Sequence, residues 1–132
     1  DLRNFTISNP DAPNIDAYIV LKDNTGTEVK CAMVLYSDKE YSGGLMFDYM
    51  KVGFLKLEKN SENDIVLYLN NGKEKILQVS DITGFFEQIG ANTQYIIHPE
   101  EIIASNFELL FVDGPVVKSP EILSEIESIL KN

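Results

Sequence analysis

Two short turn signals, Asn24-Thr25-Gly26 and Asn70-Asn71-Gly72, each sit between runs of β-branched and apolar residues, and they narrow the choice of fold more than any other feature. Glycine closing a short Asn-led turn supplies the positive φ that a tight hairpin requires, so each signal reads as a reversal between two antiparallel strands. The first joins Ala17–Asp23 (AYIVLKD) to Glu28–Ser37 (EVKCAMVLYS). The second joins Asp64–Asn70 (DIVLYLN) to Glu74–Ser80 (EKILQVS). A fifth run, Lys51–Lys59, alternates through Phe54, Leu55, Lys56, Leu57 and Glu58, which suits a sheet with one wet face. The spacing predicts an antiparallel meander over residues 17–80.

Beyond Ser80 the punctuation changes. Ser80 or Asp81 is placed to cap a short helix through DITGFFEQIG, with Gly90 as its stop. His98-Pro99-Glu100-Glu101 puts proline at a favoured first helical position and acids in the first turn, where the helix dipole favours them. That helix is expected from Pro99 to about Val112, ahead of Gly114 and Pro115. A third begins at Ser119-Pro120 and carries Ile122, Leu123, Ile126, Ile129 and Leu130 on one face. The expected class is α+β: an extended lead-in over residues 1–16, then a single domain over 17–132 with sheet at 17–80 and helices at 81–132. Within the lead-in, Asn4-Phe5-Thr6 is a formal glycosylation acceptor.

A chain of 132 residues is long enough to bury a core. Its net charge of −10 repels phosphate backbones and anionic lipid, which argues against nucleic-acid partners and membrane surfaces. No apolar run approaches the roughly 18 residues of a bilayer span, so the sequence reads as soluble. Cys31 is the only cysteine, which removes disulfide frameworks and cysteine zinc clusters and leaves a small buried hydrophobe. Asp23, Asn24 and Glu28 lack the ligand spacing of a calcium loop. The Ser37–Met50 loop is rich in aromatics and hinges at Gly43 and Gly44; it either covers a site or fills a gap beside the sheet.

On the central helix, apolar residues from Ile102 to Phe111 spread over most of the circumference and leave a polar stripe of Glu101, Ser105 and Glu108. So apolar a helix is expected at the centre of its domain. Asn106 falls among Ile102, Leu109 and Leu110 and, if buried, needs hydrogen bonds. From the residues alone, Glu100 and Glu101 read as solvent-facing acids at a helix start. One histidine with scattered carboxylates does not assemble the three protein ligands of a catalytic zinc.

From NPDAPNIDAYIVLKD through LYSDKEYSGGLMFDYMKVGFLKLEK to GFFEQIGANTQYIIHPEEIIASNFELL, the chain resembles the C-terminal portion of a bacterial zinc-metallopeptidase-like family. The likeness spans roughly residues 3–112, and QIGANTQYIIHPEEI is its most specific segment. The resemblance implies a zincin-like fold whose H-E-x-x-H helix lies upstream, with two zinc-binding histidines and a glutamate base. It implies a third zinc ligand from the later helix, where Glu101-Ile102-Ile103-Ala104-Ser105 fits the pattern; Glu100 fits less well because the spacing then fails. The last position of the family pattern is an acid that orients a ligating histidine, and here it is Ser105, which is uncharged. The resemblance places His98 and Tyr95 where an oxyanion donor can stand. Since H-E-x-x-H is absent from these residues, the chain alone is expected to be inactive and without zinc. It would be the C-terminal fragment of a hydrolase acting on a peptide or protein substrate, completed by an upstream segment. The alternatives are a protein-binding α+β module, working through its sheet edge or its Tyr41–Tyr49 loop, and a catalytically dead scaffold of peptidase fold.

Overall fold

The computed structural model describes residues 17–131. The expected lead-in and its Asn4 acceptor lie outside the described residues. The architecture is α+β, an antiparallel sheet followed by helices, and the chain divides after Thr83 into two compact units.

The first unit is built on three long antiparallel strands, β1 (Ile19–Asp23), β2 (Glu28–Tyr36) and β3 (Lys51–Lys59). The β1–β2 reversal is the expected Asn24-Thr25-Gly26 hairpin, with Gly26 at φ 82°. Asp23 organises it: its Oδ1 accepts from the Thr25 amide at 2.9 Å, the Thr25 hydroxyl at 2.6 Å and the Thr27 amide at 3.0 Å. The Thr25 hydroxyl is the main reason the Asp23 carboxyl is held below its ordinary pKa.

The outer edge of β3 is shared. Strand β4 (Ile65–Leu67) pairs with Leu57–Lys59, and β7 (Ile76–Leu77) pairs with Phe54 and Leu55. Between them Lys56 accepts from the Tyr68 amide and donates to the Lys75 carbonyl, both at 2.9 Å. The chain between Tyr68 and Lys75 buds away as a two-stranded hairpin, β5 (Leu69–Asn70) and β6 (Lys73–Glu74), closed by Asn71 and Gly72 at φ 53° and 75°. The continuous strands expected at 64–70 and 74–80 are therefore each broken. The β5–β6 hairpin follows its local turn signal and leaves only the flanking residues to the sheet.

A second difference lies at the start of the helical part. Asp81 does not cap a helix; its carboxylate accepts from the Gln78 amide at 2.8 Å and closes a single 3-10 turn, Val79–Asp81. Strand β8 (Ile82–Thr83) then pairs with Lys22 and Asp23 of β1. Among the described residues six strands form the sheet, in the order β4-β3-β2-β1-β8 with β7 beside β4 on β3.

The expected wet face is absent from the centre of this sheet. Cys31, Ala32, Met33 and Val34 are all buried although successive side chains point to opposite faces, so both faces are covered there. One cluster joins Ala32, Val34, Tyr36 and Leu55, with Leu57 and Ile76 packed against it. Gly53 makes that packing possible. A Cβ at this position would lie 2.5 Å from Ile76 Cγ2 and 2.9 Å from Tyr36 Cε1. Cys31 is the small buried hydrophobe expected, at 0% exposure, and burial pushes its thiol up to about 11.

The second unit contains α1 (Phe85–Ile89), α2 (Pro99–Glu108) and α3 (Pro120–Leu130). Helix α1 starts after Gly84, three residues later than expected, and ends at Gly90 in positive φ. Helix α2 ends at Glu108 and passes through a turn, short of Val112. Among the described residues no helix is long and apolar enough to cross a membrane.

Candidate functional site

The start of α2 is where the sequence concentrates its candidate chemistry, and local hydrogen bonds fix it firmly. Pro99 occupies the first helical turn, and His98 precedes it in extended conformation. His98 Nδ1 accepts from the Glu100 amide at 3.2 Å, so the ring carries its proton on Nε2 and caps the helix. Tyr95 stands just upstream, half exposed, with its amide donating to Thr93 Oγ1 at 2.9 Å.

Asn92 then ties the α2 region to the start of α3. Its Oδ1 accepts from the amides of Lys118 (2.9 Å) and Ser119 (2.7 Å), and its Nδ2 donates to Asn106 Oδ1 (2.9 Å) and the Ser119 carbonyl (2.8 Å). Asn106 returns a bond from its Nδ2 to the Ile102 carbonyl at 2.8 Å, and Ser119 Oγ accepts from the Ala91 amide at 2.9 Å. Asn106 and Ser119 are both buried and both satisfied, as buried polar groups must be. Asn106 thus behaves as its position among apolar neighbours required. Asn92 carried no such signal, because nothing local in Gly90-Ala91-Asn92-Thr93 announces four bonds to three distant residues.

This clasp sets which face of α2 is inward. Ile102 and Asn106 are buried, whereas Ile103 and Phe107 are 59% and 41% exposed. Helix α2 is therefore not the all-round buried element that its composition suggested. The Phe107 ring meets Phe111 at 5.0 Å between centroids, and Phe111 is itself exposed.

Of the four candidate carboxylate and hydroxyl positions, Glu101 and Ser105 are half-buried and lie one turn apart, while Glu100 and Glu108 are exposed. Among the described residues no group of three or more His, Cys, Asp or Glu side chains comes together to hold a metal ion. A zinc site needs three or four protein ligands, and among the described residues Glu101 has no ligand-type side chains grouped with it in such a set.

The Ser37–Met50 loop, a second candidate, is exposed yet internally bonded. Tyr49 Oη accepts from the Ser42 amide and hydroxyl (3.3 and 3.1 Å) and donates to the Gly43 carbonyl (2.7 Å), while Tyr41 Oη donates to the Gly44 carbonyl (3.0 Å). The two rings pack at 5.3 Å, Lys39 lies 4.5 Å over Tyr49, and Asp38 pairs with Lys51. The Ser42 hydroxyl is the main cause of a Tyr49 phenol held below its ordinary pKa. At the tip a 3-10 turn, Met46–Tyr49, helps present Leu45, Met46 and Phe47, which are 69%, 55% and 76% exposed.

Comparison with protein-family models, with curated proteins and with solved structures finds no match to this sequence.

Proposed function

We propose that this chain is the C-terminal part of a zinc-metallopeptidase-like protein, in which Glu101 supplies one carboxylate ligand and Ser105 a neighbouring hydrogen-bonding group. The histidine ligands and the glutamate base would come from an H-E-x-x-H segment outside this sequence, and the parent's reaction would be peptide-bond hydrolysis. The observation that carries the reading is the separation of the two adjacent acids. Glu101 shares a half-buried stripe with Ser105, whereas Glu100 faces water. Support also comes from the rigidity of the platform, since His98, Pro99 and the Asn92–Asn106 clasp fix the first turns of α2, and a ligand helix must be held in place. His98 and Tyr95 remain the candidate oxyanion donors; His98 has only Nε2 left for that task, because Nδ1 is spent on the cap.

The test is metal content by elemental analysis of the protein carrying both segments. Glu101→Gln is expected to lower zinc from one per chain to a small fraction, and Glu100→Gln to leave it unchanged. One zinc retained by Glu101→Gln at unchanged affinity would overturn the assignment.

A second reading, a protein-binding module, is favoured by one specific observation: the ordered Tyr41–Tyr49 loop that holds Leu45, Met46 and Phe47 out in water. A pre-organised loop loses little conformational freedom on binding, which is how contact loops gain affinity. Phe47→Asp is expected to leave the zinc content of the intact protein unchanged, because this reading gives the loop a contact role and no part in holding metal; a lowered zinc content would sink it.

A further inference from the structure

The exposed apolar tip has a counterpart in the same unit. An apolar groove of about 470 Å³ opens on the sheet, lined chiefly by Tyr18, Ala32, Leu55, Leu57, Ile65 and Leu67. That volume lies in the range of sites that receive a ligand or a few large side chains. The registers Lys30↔Leu57 and Lys59↔Ile65 put two lysines on the groove's face of the sheet. Lys30 lies over the Tyr18 ring at 4.9 Å, and Lys59 donates to Asn63 Oδ1 at 2.8 Å; among the described residues neither forms an ion pair. The tip residues Leu45, Met46 and Phe47 are followed by exposed Asp48, and the loop ahead of them carries exposed Lys39 and Glu40, so with Asp38 paired to Lys51 the free charge around the tip is net acidic. An apolar knob in net acidic surroundings thus faces the chemistry of an apolar groove with basic flanks.

A chain cannot satisfy this pair within itself. The groove lies at the Lys30–Leu57 end of the β2–β3 pair, and the loop leaves from the Tyr36–Lys51 end, six residues and about 20 Å away along the strands. The exposure of Leu45 and Phe47 shows that the loop does not fold back over the sheet.

We propose that the Leu45-Met46-Phe47 knob of one copy seats in the Tyr18–Leu57–Leu67 groove of a second copy, a head-to-tail contact between identical chains. Because knob and groove are different surfaces, the contact is heterologous, and it continues into a ring or an open string as its geometry dictates.

Sedimentation velocity of the full chain over a hundredfold range of concentration tests this. The weight-average sedimentation coefficient is expected to rise with concentration. Phe47→Asp and Leu67→Asp, both at exposed positions, are each expected to abolish the rise. An equimolar mixture of those two variants retains one good knob and one good groove, so it is expected to form a 1:1 pair and go no further. Lys59→Glu is expected to weaken association and Asp48→Lys in the same chain to restore it. A chain that stays monomeric at every concentration overturns the proposal, whether a foreign protein or residues 1–16 take the groove. Association lost in both variants but not recovered on mixing also overturns it, because a symmetric contact fails that complementation.

Discussion

Removing the Asn92 side chain should loosen the second unit more than the truncation of any other half-exposed polar group there. Asn92→Ala deletes four hydrogen bonds, but they are not equal. Lys118 is exposed and water replaces its bond, and the Ser119 carbonyl keeps the Ile122 amide as a partner, whereas the Ser119 amide and Asn106 Oδ1 belong to residues only 7% and 1% exposed. A buried polar group stripped of its partner costs about 1–3 kcal/mol. Two such groups give about 2–6 kcal/mol, and the half-open position of Asn92, which lets a water in, puts the expected loss near 3 kcal/mol. Asn92→Asp should be no better than alanine: it keeps the acceptor for the two amides but turns a charged oxygen toward Asn106 Oδ1 and the Ser119 carbonyl. The measurement is native-state hydrogen exchange at the amides of Ile102, Asn106 and Ser119, supported by urea melts followed by circular dichroism. Gln94→Ala, at an exposed neighbour, serves as the control and should stay within about 0.5 kcal/mol. A loss below about 1 kcal/mol for Asn92→Ala, or wild-type protection in Asn92→Asp, would refute the reasoning.

Gly53→Ala should cost about 1–3 kcal/mol by overpacking against Ile76 and Tyr36, read as a lowered midpoint in thermal melts; Ile76→Ala in the same chain should recover part of that loss. Cys31, buried and with a thiol pushed up to about 11, should resist aromatic disulfide reagents at pH 8 in the native chain and react at once in denaturant; prompt native labelling would contradict its burial. Since the folded state depresses the Asp23 pKa, its turn contacts are present above the ordinary carboxylate range and are lost only as pH falls through the depressed folded value. The Thr25 and Thr27 amide protons should therefore keep their shifts until pH is below that ordinary range, and their moving together with free aspartate would rule the contacts out.

What the sequence revealed was local, and what it concealed was non-local. The Asn24–Gly26 and Asn70–Gly72 reversals, the proline-led starts of α2 and α3, the burial of Cys31 and the requirement on Asn106 were all legible, because each depends on a residue and its immediate neighbours. The partition of β3's edge between β4 and β7 was not, since Ile65–Asn70 looks like one strand until the hairpin competes for its second half. Neither was β8, where two residues pair with β1 some sixty positions away. The covered second face of the sheet escaped notice because Lys56 and Glu58 dominate the alternation in β3 while β2 carries the continuous apolar run. At the candidate site, the sequence placed both acids in the first turn of α2, and only the direction in which Asn106 turns that helix separates half-buried Glu101 from exposed Glu100.

The hairpin that buds from β3 also tells an experimenter where this protein can be written into. Its β5–β6 ladder bonds to itself, its Asn71-Gly72 apex is exposed, and Gly72 has open space around the position of a missing Cβ. The sheet is already closed beneath it by the bonds of Lys56 to Tyr68 and Lys75. Lengthening the apex adds only a slowly growing loop-closure cost, about 0.6 kcal/mol per doubling of loop length. An epitope, a fluorophore-binding tag or a small domain spliced between Asn71 and Gly72 would therefore report on the molecule without entering its core, and the native ladder below would hold the graft at both ends.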